Sequence, residues 1–216
     1  MIKCTILFLL VLVIQFNSVK AQSKLDSAQT NKVFLNLEEA LLNPENVYRL
    51  NLNNQKIPTS DTIWSKFSNL QYLSLRNDQL KQIPSGIGNL KNLKILDLSG
   101  NDFKTLPSTF RNLLNLQELY LNDDKYFQLR KSINILSELP NLRSLHLEND
   151  GLKTLPKNIN MLSQLDSLFL NNNEFKQLPT EIRGLKNLKY LDIHDNTLRP
   201  SNQEIHHQNS GLKIRF

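Results

Sequence analysis

Four histidines, His146, His194, His206 and His207, are the side chains best suited to acid–base chemistry or metal binding near neutral pH. A structural or catalytic metal site gathers three or four ligands at recurring spacings, and these histidines stand in no such cluster. His206 and His207 are sequence neighbours, and neighbours on a short helix point to different sides. The chain has no GxSxG, GxxxxGK, HExxH or CxxC pattern, and its acidic residues are scattered. These residues predict no enzyme, no metal and no cofactor. Aromatic rings offer a different chemistry, recognition rather than turnover. Tyr120, His146 and Phe169 follow one another at intervals of 26 and 23 residues, so some repeating element must bring them side by side.

That element is an internal repeat. Units open at Val47, Leu70, Leu93, Leu116, Leu142, Leu165 and Leu188, in steps of 23 residues except for one step of 26. Each begins with an apolar residue, then leucine three places on and leucine or isoleucine two places after that. LQYLSLRNDQL (70–80) and LRSLHLENDGL (142–152) show the pattern, with a polar residue at the ninth place. The second half carries IPSGI (83–87), LPSTF (106–110), LPKNI (155–159) and LPTEI (178–182). From Val47 to Phe216 the chain resembles the leucine-rich repeat family in its LPxxI subtype, and is similar to exported bacterial members. The resemblance implies an α/β solenoid. Parallel strands would line a concave face, and short helical or irregular return arms a convex one.

The spacing has a physical reason. Leu96 and Leu98 fall on one face of a strand because strand side chains alternate. Phe103, Leu106, Phe110 and Leu113 then return to the same interior. One coil cannot bury these residues alone, so several must stack. The ninth place reads Gln55, Asp78, Asn101, Asp124, Asp150, Asn173 and Asn196. An asparagine amide donates to and accepts from backbone, whereas an ionised aspartate only accepts. The ladder is therefore expected to be weaker or partly hydrated at Asp78, Asp124 and Asp150. Residues 32–46 read as an N-terminal helical cap, with Asn36 as its N-cap and Asn43-Pro44 as its stop. Residues 47–199 hold the seven repeats. Residues 200–216 read as a C-terminal cap: a helix opened by Ser201-Asn-Gln-Glu204, then an alternating strand, Leu212 to Phe216. The long fourth unit replaces Leu-Pro by Leu129-Arg130, and Ile133, Leu136 and Leu139 suit a helical turn. This insertion over 124–139 is either a tolerated loop or part of a binding surface.

Residues 1–21 read as a secretory signal peptide: Lys3, an apolar run from Cys4 to Ile14, then Val19-Lys20-Ala21. The run is shorter than the ~20 residues that span a bilayer. Residues 22–31 read as a disordered polar linker. Cys4 is the chain's single cysteine, so the processed chain has no disulfide. Its net charge falls from +6 to 6 − 2 = +4 with the loss of Lys3 and Lys20. The expected location is secreted, periplasmic or on the cell surface, without stable membrane insertion. The modest charge and the lack of a basic stripe interleaved with aromatics argue against nucleic acid.

In a repeat, the third, fifth and seventh places of each unit face away from the core. Seven strands at about 4.8 Å make a face roughly 29 Å long, which suits a protein segment or a glycan better than a metabolite. The fifth place supplies Tyr120, His146 and Phe169 on consecutive rungs. Ile95 and Tyr190 flank them, and Glu118 and Glu148 edge them with charge. An aromatic centre with a polar rim resembles an interface hot spot, although parallel strands also favour aromatics for packing alone. The sequence therefore predicts a non-enzymatic binding module that engages a protein through its concave face. The alternative is a carbohydrate or cell-wall binder that uses the same rings.

Export can be checked directly. Mass spectrometry of the exported protein should show a chain beginning at Gln22, and an intact Met1 in that fraction would exclude cleavage after Ala21.

Overall fold

The computed structural model describes residues 30–58, 60–199 and 211–216. Each repeat contributes one three-residue strand: β2 Arg49–Asn51, β3 Tyr72–Ser74, β4 Ile95–Asp97, β5 Glu118–Tyr120, β6 Ser144–His146, β7 Ser167–Phe169 and β8 Tyr190–Asp192. They pair in parallel, rung on rung, so that the third place of each unit faces the third place of the next. The expected α/β leucine-rich solenoid is thus observed. Two strands extend its ends. β1, Val33–Phe34, pairs with β2, and β9, Lys213–Arg215, pairs with β8. The whole is one nine-stranded sheet in sequence order.

The leucines lie where the repeat places them. Leu50, Leu73, Leu96, Leu119, Leu145, Leu168 and Leu191 are all buried, as are Phe103, Phe110 and Phe175 from the turns and return arms. The return arms are single 3₁₀ turns, such as Ser85–Asn89 and Thr180–Gly184. The fourth unit instead makes a true helix, α2, Leu129–Ser137, which buries Leu129, Ile133 and Leu136. Its three extra residues supply the added turn. At the N-terminal end, α1 spans Leu37–Leu42, and the Asn36 side chain accepts from the amides of Glu38 and Glu39. The cap is therefore mixed, because a strand pairs beside the expected helix. The signal peptide, residues 22–29 of the linker and the helix expected after Ser201 lie outside the described residues, while Thr30 and Asn31 are helical.

Turning off each strand needs a left-handed residue at the eighth place. Asn54, Asn77, Gly100, Asp123, Asn149, Asn172 and Asp195 all have positive φ, and these are the residue types that tolerate it. The ninth residue then joins the coils. Asn101 Oδ1 accepts from the amides of Asp78 and Leu80, at 3.1 and 2.9 Å. Its Nδ2 donates to the carbonyls of Leu75 and Leu98, at 2.9 and 2.6 Å. Asn173 repeats the pattern with Leu147 and Leu170, and Asn196 with Leu170 and Ile193. A second ladder runs where each return arm meets the next unit. Asn69, Asn92, Asn115, Asn141 and Asn187 each donate to a carbonyl of the previous coil at 2.7–2.8 Å.

The aspartates complete only half of the first ladder. Oδ1 of Asp78, Asp124 and Asp150 accepts the amide of the preceding ninth residue, at 2.8, 2.7 and 2.8 Å. The other oxygen of each is buried without a partner, in the place that an asparagine fills with its NH₂. An ionised carboxylate there would oppose carbonyls, whereas a neutral one carries an O–H that can donate to them. Burial accordingly pushes Asp78 up to about 6, Asp150 to about 7 and Asp124 to about 9, against the lowering effect of the backbone amides. The charges of Asp150, Asp123 and Asp97 add to the rise at Asp124.

The sign of the linkage follows. In the unfolded chain an aspartate ionises near 3.9, so between that pH and the raised value the folded state holds more protons. Stability from these three groups is fully present at the acid end and is lost as pH rises through about 6, 7 and 9. The melting temperature should therefore fall from pH 5 to pH 9. Asp124→Asn, which restores the missing donor, should stabilise the domain at pH 8 by about 1–3 kcal/mol and flatten the decline between pH 7 and 9. A neutral or destabilising Asp124→Asn with an unchanged pH slope would show that the buried oxygen is not the weak point.

Candidate functional site

Parallel register decides what the face of the sheet can hold. It sets Tyr120 opposite His146 and His146 opposite Phe169, at the strand spacing of about 4.8 Å. Flat rings at that distance can stack, and they do. Tyr120 and His146 lie 3.9 Å apart between centroids at 17°, and His146 and Phe169 lie 4.1 Å apart at 5°. Tyr190 leans on Phe169 at 5.5 Å and 54°. Ile95 pairs with Glu118 one rung before the rings.

The carboxylates hold the stack in plane. His146 Nε2 is 3.1 Å from Glu118 Oε1 and its Nδ1 is 3.2 Å from Glu148 Oε1. Each ring nitrogen of His146 thus faces a carboxylate oxygen, and the ring lies between two aromatic faces. Tyr120 donates its hydroxyl to the same Glu118 oxygen at 2.7 Å. Burial, this hydrogen bond and the charges of Glu118, Asp97 and Glu148 push the Tyr120 phenol well above its usual value, so it acts as a donor. Asn122 Oδ1 accepts the Glu148 amide at 3.0 Å and fixes that corner.

The geometry corrects one expectation. His146 was expected to present a solvent-facing ring, but it is only 6% exposed because the neighbouring rings and carboxylates cover it. Tyr120 and Phe169 are half-buried. What faces outward is a preformed platform: the outer edges of Tyr120, Phe169 and Tyr190, with Glu118 and Glu148 beside a concealed imidazole. No sequence pattern signals this, because spacing gives neighbours but not whether rings stack or splay.

Charge is distributed along the same face. Asp97, Glu118, Asp123 and Glu148 crowd its middle, while Arg49 and Arg76 stand at one end and Lys213 and Arg215 at the other. Arg76 reaches across the third unit to Asp123 at 3.3 Å. It passes the coil that carries Gly100, where a Cβ would lie 1.9 Å from the Asn77 side-chain oxygen. Towards the C-terminal end, buried Asp192 accepts from the Tyr190 hydroxyl and Arg215 at 3.3 and 3.4 Å, and from His194 Nδ1. His194 Nε2 faces Asp195 at 3.3 Å. Carboxylates stand beside both nitrogens of His146 and of His194. Among the described residues no cluster of three or more His, Cys, Asp or Glu is arranged to hold a metal ion. No described helix is long and apolar enough to cross a membrane. His206 and His207 lie outside the described residues.

Comparison with known proteins agrees with this architecture. Residues 46–134 match the leucine-rich repeat region profile and residues 140–198 match a leucine rich repeat profile. None of the curated proteins compared matches the chain. Among solved structures, a leucine-rich repeat protein of Leptospira interrogans is 31% identical over 78% of this chain and 48% of its own, with a TM-score of 0.58. An internalin of Listeria monocytogenes is 26% identical over 82% of this chain and 49% of its own, with a TM-score of 0.60. A chain of the Toll–Spatzle complex of Drosophila, 22% identical over 80% of this chain and 23% of its own, shares the fold at a TM-score of 0.62. This chain thus spans about half the length of the first two and about a quarter of the third. With the repeat in the sequence, the rung-on-rung sheet and these profiles in agreement, the chain belongs to the leucine-rich repeat family.

Proposed function

We propose that this protein is an exported, non-enzymatic binding module that engages a protein partner through its strand face. The observation that carries the proposal is the Tyr120–His146–Phe169 stack, a rigid aromatic platform rimmed by carboxylates on a surface the solenoid core does not use. Aromatic anchors that are already ordered lose little side-chain freedom on binding, and interface energy concentrates in such anchors. Leucine-rich repeat folds commonly mediate protein–protein contact, and the Toll–Spatzle neighbour was solved as a complex. Export rests on the sequence of residues 1–21. The non-enzymatic reading rests on a sequence that carries no GxSxG, GxxxxGK, HExxH or CxxC pattern.

Tyr120→Ala and Phe169→Ala test the platform. Each removes one stacked ring, so each should cost about 0.5–1.5 kcal/mol of stability beyond lost area and leave the domain folded. Binding to a protein partner captured by crosslinking should fall by 2 kcal/mol or more, about thirtyfold at 1.4 kcal/mol per decade. Tyr72→Ala, which removes a half-buried ring on the same face outside the stack, should bind like the unmodified protein. Normal binding by both stack variants would move the site elsewhere, first to the α2 insertion.

A further inference from the structure

The repeat also builds a second surface, on the flank where each chain leaves the eighth-place turn. The twelfth place of successive units reads Lys81, Lys104, Phe127, Lys153, Lys176 and Arg199. All five cations are exposed. Backbone bonds hold the flank in register: Gln128 N donates to Lys104 O at 2.8 Å, and Arg199 N to Lys176 O at 3.2 Å. The cations therefore form a row at coil spacing, about 4.8 Å per rung. The thirteenth place sets a second row beside it: Gln82, Thr105, Gln128, Thr154 and Gln177. Each of these rungs offers one amide or hydroxyl.

Charge on the flank is poorly compensated. Lys125 adds a sixth cation, against the carboxylates of Asp102 and Glu174. Lys153 meets Glu174 at 3.4 Å with both side chains mostly exposed, a pair worth little in water. Among the described residues Lys81, Lys104, Lys176 and Arg199 have no ion-pair partner. The first unit carries Pro58 at this place, and from the second unit to the seventh the row is broken only at the fourth. There Phe127 turns inward, edge-on to Phe103 at 5.8 Å, and the preceding Tyr126 stands out at 63% exposure. Tyr126 forms one wall of a groove of about 820 Å³ whose other walls include Lys81, Lys104 and Pro107.

We propose that this flank is a docking surface for a linear acidic polysaccharide, separate from the strand-face site and independent of it. Four rungs, Lys81 with Gln82, Lys104 with Thr105, Lys153 with Thr154 and Lys176 with Gln177, each offer a cation to a carboxylate or sulfate and an amide or hydroxyl to a sugar hydroxyl. Tyr126 offers a ring face to one sugar. A single-stranded nucleic acid is the less fitting polyanion, because surfaces that bind it set an aromatic under several successive bases and this flank exposes one ring. An acidic protein would not need the repeating hydrogen-bonding row.

Heparin serves as the sulfated probe, titrated against the exported protein at about 0.1 M salt, where exposed charges are partly screened. Binding that weakens steeply with salt is expected. The double variant Lys104→Glu with Lys176→Glu should weaken it on the order of tenfold or more, with an unchanged melting temperature. Lys94→Glu with Lys189→Glu makes the same charge change at exposed second-place positions and should have a clearly smaller effect. Tyr126→Ala should weaken heparin but leave binding of inorganic polyphosphate, which has no sugar face, unchanged. No binding of heparin overturns the proposal, as does an equal loss in the two double variants, which would make net charge the cause. Single-stranded DNA that binds as tightly as heparin and responds equally to Tyr126→Ala would overturn it in favour of a nucleic-acid surface.

Discussion

The bond from the ninth residue of one coil to the backbone of its neighbour is the interaction on which this solenoid depends. Its strands are three residues long, too short to hold a sheet by pairing alone. The leucines give the drive to stack but no register, because apolar contact is non-directional. Register comes from directed bonds at both edges. Asn101, Asn173 and Asn196 each clasp two carbonyls past the strand. The return-arm asparagines clasp one carbonyl each on the other edge. Buried carbonyls that lost these donors would carry the full penalty of an unmet polar group. The turn to the next coil is therefore nearly fixed once one coil is in place.

In units four and five the ladder departs from asparagine and other rules are broken too. Units four and five carry Asp124 and Asp150 in the ladder, the three-residue insertion and α2, and the Tyr120–His146 half of the stack. Natural sequences tend to break local consistency at functional sites. Here acid crowds the strand face from Asp97 to Glu148, and Asp124 lies just beneath it. Burial pushes Asp124 up to about 9, which spares that region one further charge at neutral pH. The imidazole of His146 sits between two of the surface carboxylates, Glu118 and Glu148, without leaving the stack.

Much of this was legible in the sequence, for a physical reason. A repeat turns one-dimensional spacing into spatial neighbours, so the unit starts from Val47 to Leu188 fixed which residues share a rung, and all seven strands fall there. The aspartate gaps follow from residue type alone. The less legible features involve choices that spacing does not encode. The asparagine before each unit start, Asn69, Asn92, Asn115, Asn141 and Asn187, recurs plainly, but its role is visible only once the previous coil's carbonyl is seen above it. β1 is two residues long and leaves no periodic trace. The burial of His146 depends on how three rings settle together, and a sequence lists rings without orienting them.

Histidine at the centre of the stack is worth comparing with the rings on either side. A phenylalanine at 146 would stack as well, but Glu118 and Glu148 would lose the ring nitrogens that now stand 3.1 and 3.2 Å away. A tyrosine would place its hydroxyl beyond the ring, away from both carboxylates flanking the plane. Only an imidazole puts two ring nitrogens beside these carboxylates in a flat ring small enough for the rung spacing. It thereby ties two glutamates to the sides of the aromatic stack. The same residue packs the platform between its neighbouring rings. Its outward chemistry, half-buried rings edged by carboxylates held in place, is thus fixed before any partner arrives.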